Sequence, residues 1–313
     1  MKIRRFASLL FLLMFSMGIC SFPVLAYEDV GQNTEKEIGY THFNEYDYII
    51  QLKKSSPDEL DDMGLTRRDA DDVVSQFETA LYERASLPDS VLSKMGYSDE
   101  QIKILHSYAN GEFVSESELR LVTATCTGHI SLISFSNIFS KFKYQWEWDM
   151  CPTMTIKDSA AMRWLAYNSD NLEIGVDIVS QSATVNYYSN LDGTFNHSSS
   201  ATFENNLDFN SLNAQFDVGE TIYAFPGNIV QDSLYSKTGN VTVKVSVPNG
   251  MAQNIAYIKV AGLYGHTTLG LTAPSISLSP SGSISIGFSG SLYIDPLASY
   301  KVRIDYFGVH VIP

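Results

Sequence analysis

The sequence predicts an α+β protein in which an acidic helical N-terminal region is followed by an antiparallel β-sandwich, and three observations lead to that class. Acidic charge is concentrated early: residues 27–125 hold 21 acids and 9 bases, whereas residues 126–313 hold 14 and 9. Apolar residues recur at helical spacings of three and four in the first part and at alternate positions from Gly128 onward. The second part is also rich in Ser, Thr, Val, Ile and aromatics, broken by Gly, Asn, Asp and Pro, as strands joined by turns require. The composition shift sets a boundary near 123–127.

The first 26 residues have the form of a secretion signal. Lys2, Arg4 and Arg5 precede an apolar run from Leu9 to Ile19, and Val24-Leu25-Ala26 offers small residues for cleavage, so the exported chain is expected to start at Tyr27. The run is too short for a spanning helix, and no later stretch offers about 18 consecutive apolar residues. The expected product is secreted and extracellular. Cys20 follows Ile19, where a lipid-anchored protein needs a small residue. Removing three bases takes the net charge from -14 to -17, which argues against nucleic acid and against anionic lipid as purely electrostatic partners.

Residues 27–45 read as an extended, weakly ordered leader. The helical region 27–125 then carries a faint repeat: Met63-Gly64-Leu65-Thr66 recurs as Met95-Gly96-Tyr97-Ser98, each followed by an apolar helical stripe. In each copy a glycine suits the positive φ that ends a helix, and Thr66 or Ser98 suits the cap of the next. Ser98 with Gln101 makes a capping box. Two helix-turn-helix units are expected.

The β-sandwich domain is expected over 126–313. Cys126 precedes its first strand and Cys151 ends its second, and in an oxidising compartment an even pair without metal-type spacing predicts one disulfide, Cys126 to Cys151. Over 142–150, Phe142, Tyr144, Trp146, Trp148 and Met150 alternate with Lys143, Gln145, Glu147 and Asp149. That period of two makes a core strand, with Trp146 and Trp148 alternatively a surface row that stacks on sugars or sits at a bilayer interface. Glu147 and Asp149 share the polar face, where two acids are more often a solvated surface than the pair of a glycosidase.

The stretch 275–294 is uncharged throughout and places Ser or Gly on one face and Ile284, Ile286 and Phe288 on the other. Such a hairpin suits either an ordinary sandwich edge or a membrane-inserted strand pair, which needs an apolar lipid face and about 9 to 11 residues per strand. Trp146, Trp148, Ile284, Ile286 and Phe288 are therefore the candidate membrane or ligand contacts. Enzymatic signatures are absent: 287–291 lacks the final glycine of a nucleophile elbow, and there is no zinc helix, phosphate loop or calcium loop. No catalytic residue, metal or cofactor is expected. Of the six histidines, His266 in Tyr264-Gly265-His266 stands out as a strand-end residue hydrogen-bonded to its neighbour.

Tyr144-Gln145-Trp146-Glu147-Trp148, with Pro152, Asp158 and Trp164 downstream and Tyr264-Gly265-His266 before the Ser-rich tail, resembles the geobacillin-type secreted antibacterial proteins of Gram-positive bacteria over about 126–300. The resemblance implies an exported protein that acts on the cell surface or membrane of a target cell, with no functional residues to carry over. The alternative expectation is a non-catalytic cell-wall or glycan-binding module.

Overall fold

Strand, helices and then strands again is the observed order, in a mixed fold of helices and antiparallel sheets. The computed structural model describes residues 35–312 except 64, 137, 155–156, 204–209, 225–228, 249–253, 268–274, 279–283, 288–291, 295–297 and 306–307. The expected signal, 1–26, lies outside the described residues. Strand β1 (Lys36–Asn44) comes first, so residues 36–44 of the stretch expected to be a loose leader are instead ordered sheet. Its register against β2 (Thr125–Phe135) runs from Lys36 opposite Leu132 to Asn44 opposite Thr125, and Ile38 and Phe43 are buried. Backbone pairing and two core side chains are what order it.

Helices α1 (Glu45–Lys54), α2 (Pro57–Asp62), α3 (Arg67–Ala85), α4 (Asp89–Lys94), α5 (Asp99–Ala109) and α6 (Glu116–Val122) follow. Thr66 and Ser98 cap α3 and α5 through boxes closed by Asp69 and Gln101, and Ser56 and Ser115 do the same for α2 and α6. Each box satisfies amide donors that a helix start would leave unpaired. Gly96, with φ +95°, ends the α4 turn as its position in the repeat requires. In α3, Ala70, Val73, Phe77, Leu81 and Ala85 form one buried stripe at helical spacing. That stripe meets Leu52, Leu60, Leu92 and Leu105 in a core of its own.

Strands β3 (Phe139–Trp148), β4 (Lys157–Tyr167), β5 (Glu173–Ile174), β6 (Asp177–Ser189), β7 (Phe195–Ser200), β8 (Thr202–Phe203), β9 (Ser211–Asp217), β10 (Gly219–Ala224), β11 (Ile229–Ser246) and β12 (Tyr257–Thr267) come next. After them come β13 (Ser275–Leu278), β14 (Ile284–Gly287), β15 (Leu292–Ile294), β16 (Ala298–Asp305) and β17 (Gly308–Ile312). Among the described residues one sheet has the order β1-β2-β3-β11-β6-β7, with β10 also on β11. The second has the order β17-β16-β12-β4-β9-β8, with β15 on β12 and β5 on β4. Residues of both sheets share one apolar core, including Phe142, Tyr144, Trp146, Trp148, Trp164 and Tyr264.

The expected disulfide is absent. Cys126 and Cys151 are both buried thiols and no bridge joins them. The β2–β3 register sets Trp148 directly opposite Cys126, so Cys151 lies three residues past the position a cross-strand bridge would need. Burial pushes the Cys151 thiol up to about 11, and its Sγ donates to the Pro152 carbonyl at 3.5 Å. A neutral, enclosed thiol is a poor nucleophile for disulfide exchange.

Candidate functional site

The passage from β1 into α1 places two polar residues where the helical core meets the sheets. Asn44 caps α1: its Oδ1 accepts from the Tyr46 amide and the Thr123 hydroxyl, both at 2.9 Å. Its Nδ2 donates to the carbonyls of Arg120 and Thr123 at 3.1 and 3.0 Å. One side chain thus staples the start of the helical segment to its end.

Glu45 is buried, and its carboxylate accepts from the amides of Thr153 at 2.8 and 2.9 Å, Met154 at 3.2 Å and Ala124 at 3.2 Å. Its Oε1 also lies 3.3 Å from His266 Nε2, an ion-pair distance off the line of an aligned hydrogen bond. On the other side of the ring, Nδ1 meets both oxygens of Asp158 at 2.9 and 3.0 Å. Asp158 and His266 are direct partners in the β4–β12 ladder, which fixes that geometry. Tyr264 donates its hydroxyl to Asp158 and accepts from Trp148 Nε1 at 3.0 Å. Arg84, from α3, donates to the carbonyls of Cys151 and Pro152 at 2.8 Å each and to Tyr97 at 3.2 Å. The 151–154 segment is therefore gripped from both sides.

The charges balance. Burial alone would push His266 down, but the Asp158 and Glu45 carboxylates hold it up at about 10, so it is a cation. Burial would raise Glu45, but His266, the Thr153 amide and Arg84 together lower it. Burial opposes the charge on Arg84, and Tyr97, Cys151 and Glu45 raise its pKa nonetheless. Tyr264 lies well above its ordinary range because it is buried beside the Asp158 carboxylate. Two carboxylates and two cations share the interior, with backbone donors filling the remaining lone pairs. Glu45, Asp158, Tyr264 and His266 are buried and Arg84 is half-buried, and His266 Nε2 faces a carboxylate instead of a nucleophile or an open cleft. The arrangement is a structural tie between helices and sheets.

Trp146 and Trp148, expected as core or as ligand contacts, are 1% and 0% exposed, so neither presents a ring face to a ligand. Trp146 stacks on Phe216 at 5.0 Å between centroids. Its ring also lies over Gly239, its partner on β11, where a Cβ would come within 2.1 Å of it. Glu147 and Asp149 are exposed, and Asp149 accepts from the Thr125 amide at 2.8 Å, closing the end of the β2–β3 pair. His266 is bonded to its neighbouring strand as the sequence implied. Its link to Glu45 was not foreseen, because nothing local in the chain connects the two positions.

Ile284 and Ile286 lie on β14, which pairs with β13 as Ile276 opposite Ile286 and Leu278 opposite Ile284. Ser277 opposes Ser285, and Ser275 opposes Gly287. The pair forms a two-stranded sheet of its own, and β15, within the arm expected to run to residue 294, pairs instead with β12. Strand β13 lies beside β4. Both edges of β4 are already taken by β12 and β9, so β13 meets it across a face, in keeping with the burial of Ser159 and Ala161 on the side away from the shared core. Phe288 lies outside the described residues. No helix among the described residues is long and apolar enough to cross a membrane, which says nothing of strands. No group of His, Cys, Asp and Glu among them is arranged to hold a metal ion.

No protein-family model matches the chain, nor does any curated protein. Among solved structures, one described as "AvmM Catalyzes Macrocyclization in Alchivemycin A Biosynthesis" is similar at 11% identity, covering 55% of this chain and 86% of that one, with a TM-score of 0.21. A likeness at that score carries no argument about function.

Proposed function

We propose that the chain is an exported protein, an acidic helical region joined to a β-sandwich, that acts at the surface of a target cell and perturbs its membrane through the β13–β14 hairpin. One observation carries the reading. The hairpin is hydrogen-bonded to neither large sheet among the described residues, so it can leave β4 without breaking a main ladder. Its register sets apolar opposite apolar and small opposite small, which gives both arms the same alternation that a lipid-facing strand pair needs. The described arms are four residues each, and insertion requires them to lengthen toward the 9 to 11 that a spanning strand uses. The resemblance to geobacillin-type antibacterial proteins points the same way. The alternative, a wall-glycan module, finds no support in Trp146 or Trp148.

Dye release from lipid vesicles by the full chain tests the proposal. Ile286→Lys should abolish release, since a lysine at bilayer depth costs about 2 to 4 kcal/mol. Ser285→Lys, on the alternate face, should retain it, with circular dichroism confirming that both variants fold. A folded chain that releases no dye from zwitterionic or anionic vesicles would overturn the reading.

A further inference from the structure

The chain leaves β12 at Thr267 and rejoins the same sheet at Leu292, and these two residues are direct ladder partners. His266 opposite Tyr293 and Gly265 opposite Ile294 continue the pairing. Both ends of the excursion 268–291 therefore meet at one point of the sheet. That point is firm, because the His266 ring is held by Asp158 at 2.9 Å and faces Glu45 at 3.3 Å in the interior. Among the described residues β13 and β14 pair only with each other, so the hairpin is fastened to the sheets at its base and rests on them elsewhere.

What it rests on differs from the core on the other side of the same strands. Toward the core, β4 and β12 present Met162, Trp164, Val260 and Tyr264. On the outer face Ala161 stands between Leu263 and Asn213, Ser159 stands beside Gly265, and Ala261 lies one row beyond Leu263. Ser159, Ala161, Asn213, Ala261 and Leu263 are each 2% exposed although they point away from the shared core, so they lie under a cover. The inner face of β4 is filled, which puts β13 over the outer one. Leucine is the only large apolar side chain in that bed. Covering alanine and serine removes little apolar surface from water, and Ser159 and Asn213 regain water when uncovered. The hairpin thus sits on a bed of low adhesion.

We propose that β13–β14 is a hinged flap, which lifts from β4 as one piece about the Thr267–Leu292 base while both large sheets stay folded, and that its seated form is the resting, inhibited state. The inhibition rests on the membrane role proposed above; the lifting does not.

Thiol labelling of the full chain carrying Ser159→Cys, without lipid, tests the flap. Cys126 and Cys151 are buried and become reactive on global unfolding, so they supply an internal clock. The introduced thiol should react at least about tenfold faster than these two, yet well below the rate of a free cysteine. Ala161→Phe in the same background should raise that rate about tenfold, because a large ring in the middle of the bed pushes the cover off. Ala161→Leu takes its place should the phenylalanine variant fail to fold. Hydrogen exchange should show the β13 and β14 amides opening while the β12–β15 pairing stays protected. An introduced thiol that reacts no faster than the native pair, or as fast as a free cysteine, would overturn the flap, and so would loss of β15 protection together with the hairpin. Dye release by Ala161→Phe should exceed that of the parent. Release equal to the parent's overturns the inhibited state, and no release from either overturns the membrane role while labelling still decides the hinge.

Discussion

Replacing Glu45 by alanine removes a side chain that ties the helices to the sheets, and the structure sets the size of the effect. The substitution strips the acceptor from the amides of Ala124, Thr153 and Met154 and leaves His266 with Asp158 as its sole carboxylate contact. Breaking a buried ion pair by deleting one partner costs about 3 to 5 kcal/mol. Orphaned amides would add about 1 to 3 kcal/mol each if they stayed dry, but the vacated volume admits water, so the total should stay near about 4 kcal/mol. For a chain of this size that lowers the melting temperature by roughly 8 to 16 °C. Calorimetry at mildly acidic pH measures it, and hydrogen exchange supplies the local readout, since the Ala124, Thr153 and Met154 amides should lose protection ahead of the sheet core. Glu45→Gln, which keeps one acceptor oxygen, should fall between the parent and the alanine variant. A melting temperature within about 2 °C of the parent, with protection unchanged at those amides, would refute the view that this carboxylate joins the two parts.

Stability should also depend on pH from both sides. His266 rises from 6.5 to about 10 on folding, so its contribution is complete below pH 6.5 and is lost as pH climbs through about 10. Glu45 is lowered from 4.5, so its contribution is present above pH 4.5 and is lost as pH falls through its folded value. Urea midpoints should therefore be highest between about pH 4.5 and 6.5, and a plateau extending unchanged past pH 10 would contradict the charge assignment. Gly239→Ala should cost about 1 to 3 kcal/mol through overpacking, because its Cβ would sit 2.1 Å from the Trp146 ring and 2.7 Å from the Thr184 carbonyl oxygen. An unchanged urea midpoint would mean that the ring is not held over that strand.

Local chemistry made much of this fold readable. Thr66, Ser98 and Gln101 announce their caps because a capping box closes within four residues, and the aromatic alternation of 142–148 announces a core strand because the period repeats on the spot. The change of structure near 123–127 falls where α6 ends and β2 begins. What escaped was long-range. Residues 36–44 carry Gly39, Thr41 and His42 between their core positions, so the stretch reads as a loose leader until β2 supplies its ladder. The two cysteines have a spacing that a hairpin could bridge, yet register decides, and register is set by the whole β2–β3 pairing. His266 drew notice for its place in Tyr264-Gly265-His266, whereas Glu45 and Asp158 are ordinary acids in the sequence and become unusual only when folding buries them.

The position of Glu45 bears on how the chain can be divided and how it comes together. A cut at the change of composition would remove β1 and Glu45 with the helices, opening an edge of β2 and taking from His266 one of its two carboxylates. The residues that open the chain's order are thus completed by residues made much later. During N-to-C synthesis Glu45 waits for Thr153 and then for His266, and the helices cannot reach their final docking until β12 exists. Each part holds counter-charges that the other must not bury alone, so unfolding of either should pull on the other, and the molecule should melt as one cooperative unit in place of two.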